Sequence, residues 1–397
     1  MKKLNLENIL YFILISVYIF SSYIFGTDKY IRIIHFIILF VLVMIFLRGK
    51  ITLNNKSSKI LKLFLCGYIV LLFMSIFSQI YTNNYSFEYF SRSVSITIDL
   101  ISVLLISYFS YQRLNKNIEN VVFASCVFGF LIMIIVYLKS VGIGEFVNYY
   151  LQTEKSGNFL EFHALGYIFG MYFIYYFYVC KNIKRAFLSL FMCLLVWKRI
   201  VLLAIIISLI VSIIIDKIYI KTNKKCIPVI SIIMILMAYL YIIISYNGNL
   251  DIIANEYNIN FSHRLYFYDY FKQYYKINIF YFGHSLGFTD KIMETTMAIR
   301  QLKISAATGM HNDILRYYID LGFLGSLVYY SLYFYKLPKL LAKKFSFENA
   351  LKCLPFILFM YICLFVSNFS RTSLIMFVYF IFIFKVSERT NNDYEKQ

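Results

Sequence analysis

The sequence predicts an all-α polytopic membrane protein, with about 12 transmembrane helices and one large extracytoplasmic loop carrying short helices. Two observations predict it. Of 397 residues, 61% are hydrophobic and only 15% are charged, more apolar surface than a soluble fold can hide. The apolar residues also fall in runs near the length of a membrane-crossing helix, about 20 residues at about 1.5 Å each. These runs lie at 8–25, 30–47, 61–80, 93–110, 120–138, 162–180, 184–197, 200–215, 227–246, 313–335, 353–368 and 372–386.

The loops support each run in turn. With the N-terminus cytoplasmic, Lys2 and Lys3 precede the first run, and Arg48 to Lys62 separate the second from the third. Arg113 and Lys116 follow the fourth, and Lys181, Lys184 and Arg185 follow the sixth. Lys217 to Lys225 follow the eighth, Lys336 to Lys352 the tenth, and Lys385, Arg389 and Lys396 the twelfth. All these clusters then share one side, as the positive-inside rule requires, and both termini are cytoplasmic. The formal charge of +19 is therefore a topology signal, with no nucleic-acid partner implied. One joint decides the downstream half. The run Leu188–Ile215 is interrupted only by Lys198 and Arg199. A single helix would turn everything after it inside out, so the charge rule favours an outer turn there.

The chain reads as a single membrane domain, 1–397. Its one long polar stretch, 247–312, is an extracytoplasmic loop inserted between the ninth and tenth spans. Within it, Tyr266–Tyr275 is aromatic enough to lie on the membrane surface. The 41 Phe and 38 Tyr suit lipid-facing and interfacial positions. Cys66, Cys126, Cys180, Cys193, Cys226, Cys353 and Cys363 lie in or beside apolar runs, with no CxxC pair. Neither disulfides nor a metal site is expected. The first run lacks a small-residue cleavage pattern, so no cleavable signal peptide is expected. Richness in Lys, Asn, Ile, Phe and Tyr points to an AT-rich bacterial genome.

Four constellations could carry chemistry: Trp197-Lys198-Arg199; Ser262-His263-Arg264; Phe282-Gly283-His284-Ser285-Leu286-Gly287; and His311-Asn312-Asp313 leading into Gly322 and Gly325. In the topology above all four lie outside. His311 follows the polar loop and opens an apolar helix, so it stands at a membrane–water boundary. Arg316 is four residues before Asp320, and a pair between them would offset the cost of charge at membrane depth. Gly322 and Gly325 suit close approach of another helix. Arg371, at the outer start of the last span, faces the same side.

The glycine turn, the His311-Asn312-Asp313-Ile314-Leu315 helix start with Gly322 and Gly325, and Lys198-Arg199 opening an apolar helix resemble motifs of a known superfamily. It is that of O-antigen ligases and Wzy-type polysaccharide polymerases. The resemblance implies a glycosyltransferase of the bacterial plasma (inner) membrane. It would act at the outer face on undecaprenyl diphosphate-linked oligosaccharide, polymerising repeat units of capsule, O-antigen or exopolysaccharide. It further implies a loop histidine as base, here His311, and loop arginines on the diphosphate, here Arg264 and Arg199, without metal or other cofactor. Arg316, Arg371, Asn312 and His284 are then candidates for the substrate cavity. Membrane lipid, a chain-length regulator and a flippase are the expected partners.

Chemistry agrees with those roles. A neutral imidazole can take the proton of an attacking sugar hydroxyl, general-base help worth roughly 10²–10⁴-fold. Arginine's planar fork binds phosphate oxygens in bidentate fashion and stays charged, and the loop offers no DxD-like acidic pair for a metal. The alternative within the enzyme class is a ligase moving finished glycan to a lipid or protein acceptor. From another class, a flippase or transporter would show internal repeats or broken helices, and the sequence displays neither.

Overall fold

A computed structural model describes residues 8–13, 15–16, 56–83, 85–114, 117–144, 163–196, 198–222, 226–257, 264–295 and 310–388. Among them every regular element is helical and no strand occurs. Six helices are long and apolar enough to cross a membrane. Five are α1 (Ser57–Tyr81), α2 (Phe87–Leu114), α3 (Ile118–Val141), α6 (Arg199–Thr222) and α7 (Cys226–Tyr246). The sixth is α13 (Phe347–Leu364). The expected spans at 162–180, 184–197, 313–335 and 372–386 coincide with shorter or interrupted helices: α4 (His163–Ile174, continued by a π turn), α5 (Ile183–Val196), α11 (Asp313–Ser331) and α14 (Ser373–Glu388). The spans expected at 8–25 and 30–47 lie largely outside the described residues, as do Trp197 and His263.

Capping explains where α13 begins and where α3 ends. Ser346, extended, accepts from the Asn349 amide at the start of α13, satisfying one of the orphan donors of a first turn. This start lies six residues before the expected run at 353, because the polar turn 347–352 is capped into the same helix. Gly142, at φ +84°, closes α3 through its amide to the Leu138 carbonyl.

The chain divides into two compact units. The first holds α3, α4, α5, the second half of α2, the first half of α6, and α14. Nearly every residue of α14 is buried, as befits a helix apolar on all sides. Phe382 of α14 packs on Tyr172 and Tyr175, and buried Glu119 pairs with Lys385. In α5, by contrast, Phe187 is 71% exposed and Phe191 51%, an apolar face of the kind that lipid covers. The joint at 198 is a break. Backbone helicity ends at Val196 and resumes at Arg199. The Lys198 carbonyl accepts the Val201 and Leu202 amides, while its ammonium lies over the Tyr167 ring at 4.7 Å. Leu188–Ile215 is therefore two helices rather than one.

The second unit holds α1, the first half of α2, the second half of α6, α7 to α13, and residues 369–371. Its added elements are α8 (Asn249–Glu256), α9 (Arg264–Phe271), α10 (Phe288–Thr295) and α12 (Leu337–Lys344). At its centre is α11 with the π turn that follows. Tyr317 stacks on Tyr329 at 3.8 Å, Tyr333 meets the Tyr68 hydroxyl of α1 at 2.6 Å, and Tyr239 of α7 donates to the Phe323 carbonyl. The sequence reads as one apolar helix over 313–335, but α11 is broken at Gly322, φ +69° and ψ −168°. The absence of broken helices expected from the sequence is thus corrected. Leu321, Phe323 and Leu324 continue the apolar pattern through the break and conceal it.

Candidate functional site

The break at Gly322 exists for a neighbour. The turn 281–287 crosses α11 there, backbone against backbone. Phe323 donates its amide to Tyr281 at 2.7 Å, and the Asp320 carbonyl receives the amides of His284 and Ser285 at 3.0 and 2.7 Å. The Asp320 carboxylate accepts the Gly287 and Thr289 amides at 2.9 and 3.0 Å, so it caps the first turn of α10 from another helix. Gly283 and Gly322 both have positive φ, and a Cβ at either would lie within 2.5 Å of the other's segment. Close approach at Gly322 is what the sequence suggested, but a loop makes it rather than a helix. Asp320 is not ion-paired with Arg316, contrary to expectation: its carboxylate is taken by the Gly287 and Thr289 amides, and Arg316 by Asp313, Asp290 and Asn368.

Arg316 has other partners. Almost wholly buried, it reaches Asp313 at 3.2 Å and Asp290 at 3.6 Å, and donates to Asn368 at 2.7 Å. Arg371 reaches Asp290 at 2.8 Å. Asp313 also accepts from the amide and hydroxyl of Ser370, each at 2.8 Å. Two arginines and two aspartates thus balance one another, which is what buried charge requires. Burial pushes the Asp290 carboxyl up, but Arg371, Arg316 and Arg92 outweigh it and hold the group below the usual carboxylate range. Asp290 and Asn368 were not singled out in the sequence. They lie far from Arg316 along the chain, and no local spacing announces them.

Asp313 ties this network to the start of α11. His311 is half-buried with φ +49°, a left-handed backbone that costs a side-chain-bearing residue energy and concentrates at functional sites. Asn312, wholly buried, is the N-cap. Its Oδ1 accepts the Leu315 amide at 3.0 Å, and its Nδ2 donates to the Tyr241 hydroxyl at 2.8 Å. Tyr268 joins them. Burial pushes its phenol up, while hydrogen bonds with Asn312 and Tyr241 and the charge of Arg264 pull it down. Arg264 opens α9, one helical turn before Tyr268 and on the same face. The second unit therefore brings Arg264, Asn312 and the His311 backbone to one cluster, with Arg316 one turn along α11 and Arg371 joined to it through Asp290. Arg199 belongs to the first unit, where it is exposed at the start of α6.

His284 sits in the crossing turn. Its ring stacks on Phe288 at 4.1 Å, and its Nε2 meets the Tyr274 carbonyl at 2.7 Å. A carbonyl only accepts, so Nε2 carries the proton, and Nδ1 is buried without a partner. Burial holds this imidazole below its ordinary value, partly offset by the bond to Tyr274. The aromatic run 266–275 divides between two environments, with Tyr266 exposed. Phe267, Tyr268, Phe271 and Tyr275 are buried against the helices, because alternate rings of a short helix serve to dock it.

No curated protein matches the chain. The break at Lys198, the turn at Gly283 and the helix from His311 to Gly325 do lie in a recognisable span: residues 185–330 match the model of the O-antigen ligase family, which is consistent with the O-antigen ligase and Wzy-type superfamily.

Proposed function

We propose that the protein is a membrane glycosyltransferase that polymerises undecaprenyl diphosphate-linked oligosaccharide repeat units at the outer face of the bacterial plasma membrane. In this reading twelve spans place both termini in the cytoplasm and 247–312 outside. His311 takes the proton of an acceptor hydroxyl as that oxygen attacks the anomeric carbon of the donor glycan. The bond from that carbon to the diphosphate breaks, and undecaprenyl diphosphate leaves with the electron pair. Arg264 stabilises its growing charge through a bidentate fork, and Arg199 carries the same proposed role on sequence resemblance. Asn312 fixes the helix start beside His311. In this reading Arg316, Arg371, Asn312 and His284 belong to the substrate cavity.

The observation that carries the reading is the strained His311 backbone, pinned by the buried Asn312 cap in a cluster that feels the charge of Arg264. Strain kept at a polar helix mouth needs a purpose, and general-base catalysis supplies one. The test replaces His311 by Ala and inspects the surface glycan. Loss of long chains with single repeat units remaining supports the base; normal chain lengths sink it.

The family description favours a second reading, a ligase. Purified protein given only lipid-linked repeat units separates the two. A polymerase makes a ladder from them alone, and a ligase needs an acceptor of another compound class.

A further inference from the structure

Residues 276–280 form an exposed apolar tip of the large loop. Ile279 is 58% and Phe280 68% exposed, and Ile277 is exposed beside them. Three backbone amides at this tip find partners within it. The Asn278 amide donates to the Lys276 carbonyl at 3.1 Å, the Phe280 amide to Asn278 Oδ1 at 2.9 Å, and the Tyr281 amide to the Asn278 carbonyl at 3.1 Å. In water such amides are served by solvent, whereas an apolar medium demands internal partners.

The tip also continues a lipid-facing surface. The next residue but one, Phe282, packs on Phe77 and Tyr81 with centroids at 5.4 and 4.4 Å, and its carbonyl accepts from the Ser78 hydroxyl. Phe77, Ile80 and Tyr81 are exposed at the end of α1, a helix fit to cross a membrane. At about 1.5 Å per residue its length is about 37 Å, more than the roughly 30 Å hydrocarbon core. One of its ends therefore stands at interface depth, and Tyr81 is the residue type that prefers that depth.

We propose that residues 277–280 dip into the bilayer: Ile279 and Phe280 insert into the leaflet at the C-terminal end of α1, and the lipid itself is the partner. Lys276 keeps its ammonium among the headgroups while its stem lies along the apolar surface. The turn that interlocks with Gly322 is thereby held at headgroup depth. That this is where a lipid-linked sugar arrives rests on the proposed function; the insertion does not.

The test uses the full chain in lipid nanodiscs. The single tryptophan, Trp197, is replaced by Phe, and Phe280→Trp supplies the probe, with Ile279→Trp as a second variant should the first fold poorly. Nanodiscs are made with phosphatidylcholine brominated high on the acyl chain. Strong quenching by this lipid, with shielding from aqueous acrylamide, is expected. Acrylamide quenching without lipid quenching would overturn the proposal and mark the tip as a surface for a soluble partner. Shielding from both that disappears at one copy per disc would overturn it in favour of self-association. Loss of glycan synthesis in the same variants with lipid quenching intact would bear on the function and leave the insertion standing.

Discussion

Gly322→Ala tests whether the broken helix exists to admit the crossing turn. A Cβ there would lie 2.1 Å from the Tyr281 carbonyl oxygen, 2.3 Å from the Phe282 carbonyl carbon and 2.5 Å from the Gly283 nitrogen. All three are backbone atoms, so no side chain can swing aside. The dihedrals, φ +69° and ψ −168°, belong to a region that residues other than glycine enter at a cost of about 1–3 kcal/mol. Relief of the clash withdraws the turn and breaks three hydrogen bonds, those to Tyr281 from Phe323 and to Asp320 from His284 and Ser285. At about 1 kcal/mol each, these bring the loss to about 4–6 kcal/mol, a large part of the roughly 5–15 kcal/mol that holds a typical protein folded. Half-unfolding temperature in detergent reads it, against Gly144→Ala as a reference, since nothing lies within 4 Å of a Cβ at 144. A large fall for Gly322→Ala and little change for Gly144→Ala are expected. Gly283→Ala breaks the same crossing, so the double variant should cost hardly more than either single one. A Gly322→Ala protein as stable as the parent, or additive losses in the double, would refute the interlock.

Arg316→Met strands the buried Asp313 carboxylate and should destabilise by about 3–5 kcal/mol; adding Asp313→Asn should recover much of it in the same melting assay. Stability should fall as pH drops below about 6.5, the unperturbed histidine value. Because the folded state holds His284 below its unfolded pKa, the unfolded chain binds the extra proton first, and stability is lost as pH falls through the folded pKa. His284→Gln should flatten that part of the melting profile. Arg264→Lys keeps the charge and removes the fork, so a clear loss of chain elongation on lipid-linked substrate is expected; full activity would argue against bidentate phosphate binding.

Much of this arrangement is legible along the chain because it is local. The helix start at His311-Asn312-Asp313 is read where the structure has it, although the cap is Asn312. The interruption at Lys198 is a cation pair in an apolar run, and the helix does break there. What was hidden depends on pairs distant in sequence. Asp290 meets Arg371 across 81 residues, and neither spacing nor periodicity couples them. Helical periodicity does place Asp320 one turn from Arg316, but the crossing loop offers Asp320 two amides and α10 offers Arg316 the Asp290 carboxylate, partners that no spacing along the chain announces. The aromatic run 266–275 divides for a related reason: Phe and Tyr suit a membrane interface and a protein core equally well, and the docking of α9 buries Phe267, Tyr268 and Phe271 while Tyr266 stays exposed.

Asp320 shows why these long-range terms matter for the proposed chemistry. Its carbonyl holds the turn at 284–285 and its carboxylate holds the first amides of α10, so one residue orients the helix that carries Asp290. Asp290 in turn stands between Arg316 and Arg371, and Arg316 ties the network to α11, four residues after the Asn312 cap. The geometry at His311 therefore rests on a chain of buried polar contacts that runs through the glycine crossing, and a fault at Gly283 or Gly322 should reach the proposed base without touching it.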